Sequence, residues 1–395
     1  MHHIDILAVG HAPVLQINRR IYRALNQIGW QVELAIPNRL PWVTDVNFVE
    51  PDHPEDPPTY RLEPHGNHTR FWWFKGLEGI LDCRRPRIVY LENAPESIMA
   101  WRIGGWCKRN GAILIANTNE NDILPLTDIL RQPKARPVLR SVRSHLWGRI
   151  ARSRVNHVVA ICEDGRKSMQ MIGFSDAVSV IPIGFDPALF YPDPARRAAK
   201  RTALGLHGPV VAYFGRLTET KGVPLLIAAL GRLKDKPWQL LIDDFETDST
   251  GPTPWLRRAI DDAGIGDRVI TFSASHEAIA DYMRAADIVV LPSLLKEQYG
   301  RVISEAMACG CATIVSDIGA LPELVGDAGV IVRPGDVSGL SAAIGDLLAN
   351  PQRRIDLAAR AEARARTAFS LDRQTILLDS LFRALIDKGH VVRAN

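Results

Sequence analysis

The sequence predicts an α/β protein built from two doubly wound, Rossmann-like domains facing across a cleft, and three observations carry that prediction. Short, continuous Val/Ile/Leu runs alternate with helix-compatible segments along the whole 395-residue chain. Such runs are apolar on both sides, as strands must be in a parallel sheet covered by helices on each face. The series also starts twice, the second time after a Pro- and Asp-rich stretch at residues 187–194. Finally, the chain exceeds the roughly 250–300 residues at which a single core stops growing.

Taken in order, residues 4–9 read as a buried strand. The next helix presents Ile17, Ile21, Ala24, Leu25 and Ile28 at helical spacing and closes on Gly29, before a strand at 32–36. Residues 37–67, rich in Pro, Asp, Glu and His, are expected as one long loop. Strands at 88–91, 113–116 and 158–161 complete the first series. The second series places strands at 210–214, 239–242, 269–272, 288–291, 312–315 and 329–332. Ligands in such sheets bind beyond the carboxyl ends of the strands, which puts the expected site in the cleft between the halves.

Apolar residues make up 46% and charged residues 23%, the balance of a folded globular chain. A net charge of +4 gives no reason to expect a nucleic-acid partner. The five cysteines, Cys83, Cys107, Cys162, Cys309 and Cys311, are odd in number and scattered, which suits reduced thiols in a cytosol. Cys309-Gly310-Cys311 has one intervening residue and reads as packing. The N-terminus lacks the cationic start and long apolar stretch of a signal peptide. No run reaches the ~18–20 apolar residues of a membrane span, so a cytoplasmic location is expected. His65 and His68 have no further ligands clustered with them, and no Asp-X-Asp motif occurs, so no metal is expected.

Two segments of the second half carry chemistry. In the first, a strand ends at Leu291-Pro292, a loop bears Glu297, and Gly300 permits a turn into a helix bearing Glu305. That helix is expected to expose its first amides from about Gln298 to Arg301. Unpaired amides at the positive pole of a helix form an anion site. In the second, a strand ends in Gly215, and Arg216 and Lys221 follow before Gly222. A guanidinium grips phosphate oxygens in pairs and an ammonium adds a point charge. Together they can neutralise a leaving diphosphate, the task a divalent ion performs elsewhere.

These segments resemble glycosyltransferase family 4, retaining enzymes of the GT-B fold. Glu297 and Glu305, separated by seven residues, match its paired-glutamate motif. Gly215-Arg216-Leu217 with Lys221-Gly222 matches its phosphate-binding loop. Ile181-Pro182-Ile183-Gly184-Phe185-Asp186 looks like its interdomain segment, and Asp317-Ile318-Gly319-Ala320-Leu321-Pro322-Glu323 like the stretch after the glutamates. The likeness covers residues 155–370 well and the N-terminal half loosely.

The resemblance implies an acceptor-binding domain at 1–185, completed by a crossing helix at about 372–395, and a nucleotide-sugar-binding domain at 186–371. Arg216, Lys221 and Glu297 would be catalytic, the cations on the departing diphosphate and Glu297 on hydroxyls of the transferred sugar. Gly215, Gln298, Tyr299, Gly300 and Arg301 would complete the donor site, with Glu305 accepting from the ribose hydroxyls. A nucleotide-diphosphate sugar would be co-substrate, with no other cofactor and no metal. The acceptor would be a glycan or a lipid-linked molecule, in cell-envelope or exopolysaccharide synthesis.

The sequence also departs from the family. Asp243-Asp244 stands where a Gly-rich element is usual, and Phe272-Ser273-Ala274 where a glycine is common. The turn Gly10-His11-Ala12 lacks paired glycines. Asn119, Glu120 and Asn121 follow a strand whose end often carries a sugar-facing histidine, and with His11 they are candidate acceptor or sugar contacts. Residues 131–154 form a basic amphipathic helix with Val138, Leu139, Val142, Leu146 and Ile150 at helical spacing. It reads either as a domain helix with a solvated basic face or as a peripheral contact with the inner face of a membrane. Two rival functions stand beside glycosyl transfer: an epimerase or phosphorylase on the same scaffold, and a sugar-nucleotide binder without turnover.

Overall fold

A computed structural model describes residues 3–40, 49–66, 69–129, 135–244 and 253–393. The chain divides into two compact units, Met1–Gly184 with Leu371–Asn395, and Phe185–Ser370.

The first unit contains β1 (Ile6–Gly10), β2 (Val32–Pro37), β3 (Thr59–Leu62), the short antiparallel pair β4 (Pro64–His65) and β5 (Trp73–Phe74), β6 (Ile88–Glu92), β7 (Ile113–Thr118), β8 (His157–Ala160) and β9 (Val178–Val180). Apart from β4 and β5 they form one parallel sheet in the order β3-β2-β1-β6-β7-β8-β9. Successive residues of β1 enter opposite cores: Ile6 and Ala8 join one apolar cluster, Leu7 and Val9 the other. Burial on both faces is why these strands are continuous apolar runs rather than alternating ones.

The helix Leu371–Arg393 supplies part of one core. Leu378, Phe382 and Ile386, one turn apart, are buried in it. Phe382 meets Trp30 and Tyr90 edge-on, each at 5.7 Å between ring centroids. Trp30 Nε1 donates to Asp379 at 2.9 Å. An apolar stripe with a matched polar contact thus attaches the last helix to the first unit, although the second unit precedes it in sequence.

Residues 37–67 differ from the single loop expected. Thr59–Leu62 is a strand on the edge of the sheet, parallel to β2. Ahead of it, the fully buried Arg19 guanidinium donates to the carbonyls of Pro13, Val14 and Glu50 and pairs with Asp52 and Asp56. A buried guanidinium demands this density of acceptors, and meeting the demand ties residues 50–56 to the helix Gln16–Gln27. Four residues without strict alternation, inside a Pro- and Asp-rich stretch, offered no strand signal. In the aromatic stretch at residues 71–74, Trp72, Trp73 and Phe74 are core and Phe71 is exposed. His65 is exposed on β4, and His68 lies outside the described residues.

The second unit holds β10 (Val210–Tyr213), β11 (Gln239–Asp243), β12 (Val269–Phe272), β13 (Ile288–Leu291), β14 (Ala312–Ser316) and β15 (Val330–Val332). They form a parallel sheet in the order β12-β11-β10-β13-β14-β15. Cys309 and Cys311 are buried here as thiols, and burial pushes the Cys309 thiol up to about 12.

Candidate active site

In the second sheet the strand order reverses between β10 and β13. The chain leaves β10 towards one edge and β13 towards the other, so their loops part at the carboxyl ends and leave a crevice. Every residue expected above to bind the donor lies on one of these two loops or on the helix after the second.

The loops are tied backbone to backbone. Leu294 N–H donates to the Thr220 carbonyl at 2.8 Å. Gly222 is left-handed, with φ 75°, and lies against Pro292 so closely that an added Cβ would fall 1.9 Å from the Pro292 oxygen. Only glycine permits this approach, and the approach brings Lys221 over the second loop. Lys221 Nζ reaches Glu297 at 2.6 Å to Oε1 and 2.8 Å to Oε2. Ser293 Oγ also donates to Glu297. Behind the carboxylate, Gly319 (φ 63°) would place a Cβ 2.4 Å from the Glu297 carbonyl oxygen, and Ala320 N–H donates to that oxygen at 3.0 Å. Glu297 is therefore held by side chain and backbone alike. The pair stays reachable, since the Lys221 and Glu297 side chains are 24% and 11% exposed.

Tyr213, at the end of β10, donates its hydroxyl to the Arg216 carbonyl at 2.8 Å and so fixes the turn through Gly215. Burial, and then the negative charge of Glu297, hold the phenol well above its usual range, so it stays a donor. The Arg216 side chain is exposed.

The helix after the second loop starts later than expected. It runs Arg301–Ala308 with Gly300 (φ 89°) as its N-cap, and Ile303 N–H donates to the Gly300 carbonyl at 2.8 Å. Gln298 and Tyr299 therefore belong to the loop, and of the four residues assigned to the exposed helix start only Arg301 is helical. The left-handed backbone at Gly300 delays the turn, which composition alone does not reveal. Tyr299 is buried, meeting Phe369 edge-on at 6.3 Å, and Glu305 is 5% exposed.

Sequence reasoning passed over Ser293, which follows β13 directly and whose hydroxyl needed the fold to find its partner. It marked Asp243 and Asp244 only as a departure from the family that would alter the charge near the donor. Asp243 ends β11, next to β10, and is 8% exposed, with Oδ1 buried and unpartnered among the described residues. Burial, and then the neighbouring Asp244, raise it to about 6. Phe245 and Glu246 lie outside the described residues. Because the folded value exceeds the ordinary 3.8, the native state holds this proton more tightly than the unfolded chain. Stability is then greatest below pH 4 for this group and declines as pH rises through 6, by about 3 kcal/mol. Asp243→Asn should match the parent in urea unfolding near pH 4 and exceed it by about that amount at pH 7.5. Equal stabilities at both pH values would refute the assignment.

The remaining candidates belong to the first unit, whose strand order reverses between β1 and β6. His11 follows β1 there and meets Trp72 edge-on at 5.8 Å, and burial lowers its pKa. Glu120, after β7, is ion-paired with Arg70, Asn121 is buried and Asn119 is exposed. Of these, the described geometry leaves only the Asn119 side chain largely open.

Residues 208–350 match the family described as Glycosyl transferases group 1. The matched stretch contains all six strands of the second unit's sheet and both loops of the crevice. Over 194 residues the chain is 34% identical to the GDP-mannose-dependent alpha-(1-6)-phosphatidylinositol monomannoside mannosyltransferase of Mycolicibacterium smegmatis, covering 46% of this chain and 50% of that protein. Over 183 residues it is 35% identical to the D-inositol 3-phosphate glycosyltransferase of Segniliparus rotundus, covering 45% and 40%. The chain thus spans about half the length of the curated relatives it matches. Among solved structures, sucrose-phosphate synthase of Thermosynechococcus elongatus superposes with a TM-score of 0.74 at 22% identity, over 97% of this chain and all of that one. The Anabaena protein HepE in complex with UDP and glucose gives 0.72 at 19%, again over 97% and 100%.

The fold is GT-B. Its two parallel-sheet α/β domains are those of these glycosyltransferase structures, and the segment that carries the crevice is related to group 1 glycosyltransferases.

Proposed function

We propose that the chain is a retaining, family 4 glycosyltransferase that moves a sugar from a nucleotide-diphosphate donor to a glycan or lipid-linked acceptor. The observation that carries this reading is the Lys221–Glu297 pair at the β10/β13 crevice of a segment matching group 1 glycosyltransferases. Without donor, Lys221 neutralises Glu297. An arriving diphosphate competes for Lys221, with Arg216 beside it, and frees the Glu297 carboxylate to accept from sugar hydroxyls. Glu305 takes the ribose hydroxyls, and the loop Gln298–Gly300 and the Arg301 amide border sugar and phosphate.

In the reaction, the bond from the anomeric carbon to the phosphate oxygen breaks and the diphosphate leaves with the electron pair. The acceptor oxygen bonds the same carbon from the same face, and its proton passes to the leaving phosphate oxygen. No side-chain base is needed, and the two cations stabilise the developing charge without a metal. The names of similar proteins mention GDP-mannose and UDP, which favours a GDP- or UDP-linked sugar; a role in cell-envelope or exopolysaccharide synthesis and a cytoplasmic location complete the proposal.

A thermal-shift panel of nucleoside diphosphates and their sugars tests the site. A saturating donor, at a hundred times its Kd, stabilises by about 2.7 kcal/mol. Glu305→Gln should lose most of the response to the nucleoside diphosphate while keeping the parent's unliganded Tm. Release of diphosphate only when acceptor is added supports transfer. Full turnover with donor alone would support an epimerase instead, and binding without turnover a silent binder.

A further inference from the structure

The helix Ala135–Arg152 points its apolar face away from the core. Its inward face consists of small residues, Ser141, Ser144, Gly148 and Ala151, all buried. A Cβ on Gly148 would lie 2.5 Å from the Ile172 carbonyl oxygen, so the helix is seated closely. Ser141 Oγ accepts from Leu124 N–H at 3.0 Å, and Ser144 Oγ donates to Glu96 at 3.1 Å. Outward stand Leu139, Val142, Leu146, Trp147 and Ile150, exposed by 69%, 38%, 65%, 49% and 49%. At about 100° per residue these five span an arc of about 140°, opposite the small residues. A helix in a globular domain normally turns such an arc inward.

The apolar surface continues beyond this helix. Trp101 and Ile98, on the helix Ile98–Asn110, are 45% and 40% exposed, and Phe71 is 52% exposed. Phe71, Ile98, Trp101, Trp147 and Ile150 line a groove of about 480 Å³ together with Arg102 and Arg143. Contiguous exposed apolar surface on this scale marks an interaction site.

Charge selects the partner. The helix Ala135–Arg152 contains five arginines and no acidic residue, and the helix Ile98–Asn110 adds Lys108 and Arg109, while its Arg102 is paired with Glu78, and Glu96 in the groove wall is paired with Arg70. Arg149 and Arg152 are exposed, and Arg154 stacks on Trp101 at 4.1 Å. A second copy docking through the same face would set this positive field against itself. Tryptophan and arginine around an apolar strip are instead the composition of a helix lying at a lipid–water boundary. Among the described residues no helix is long and apolar enough to cross a membrane, so any contact of this face with lipid is a surface one.

We propose that this face docks the chain on an anionic phospholipid bilayer, with an acyl chain entering the groove beside Trp101 and Trp147. The full chain should sediment with vesicles of equimolar phosphatidylglycerol and phosphatidylcholine and far less with phosphatidylcholine alone, more weakly as salt rises. Arg149→Gln with Arg152→Gln should weaken binding on the order of twentyfold. Leu146→Glu with Trp147→Glu should weaken it on the order of a hundredfold at an unchanged Tm, because both side chains face outward. The proposal fails if phosphatidylglycerol confers no preference, or if the Leu146/Trp147 variant binds like the parent. It fails equally if light scattering finds a dimer that this variant dissolves, which would assign the face to a second copy. None of these readouts needs the donor site.

Discussion

Lys221→Ala is expected to lower turnover by 10²–10³-fold, the effect of removing one group that stabilises developing charge. Lys221 is the cation whose position the fold specifies most tightly: Gly222 lies against Pro292, and the ammonium sits 2.6 Å from Glu297. Alanine removes both the point charge on the diphosphate and the partner that keeps Glu297 neutralised before donor arrives. The thermal response to a nucleoside diphosphate should fall with the activity. Lys221→Arg should recover part of each, since it restores charge but not the compact geometry of an ammonium. Steady-state kinetics with the parent's donor and acceptor checks this, and a Lys221→Ala enzyme within fivefold of the parent would remove Lys221 from the mechanism.

Gly222→Ala should cost about 3–5 kcal/mol of stability. The left-handed backbone alone costs a non-glycine residue roughly 1–2 kcal/mol. The larger share comes from the Cβ, which would sit 1.9 Å from the Pro292 oxygen and must force the β10 and β13 loops apart. Gly29 makes the control: its φ is 101°, yet nothing lies within 4 Å of an added Cβ. Gly29→Ala should therefore lose only about 1–2 kcal/mol. Urea unfolding of both variants separates backbone strain from collision. Equal losses would mean that the two loops are not in contact as described.

The parts of the site that were legible from sequence are those whose signal is local. The runs ending at Tyr213 and Leu291 are apolar on both faces, so they read as buried parallel strands wherever they stand in the chain. The loops after them carry an excess of Gly, Arg, Lys and Glu, residue types with little use at a buried strand end other than binding charge. The strand at Thr59–Leu62 was not legible, because four partly exposed residues in a Pro-rich stretch become a strand only when β2 offers its free edge.

The sequence by itself determined two parallel-sheet domains, the two loops that carry the charged side chains, and one strongly amphipathic helix. Only the tertiary structure decided that Lys221 meets Glu297 across 76 residues of chain, and that Ser293 and Gly319 hold the carboxylate in place. It alone decided, too, that the helix Ala135–Arg152 turns Ser144 and Gly148 inward and Leu146 and Trp147 outward. The physical reason is the same in each case. Periodicity along a chain says which residues share a face, but which face is buried depends on neighbours that sequence separation does not reveal.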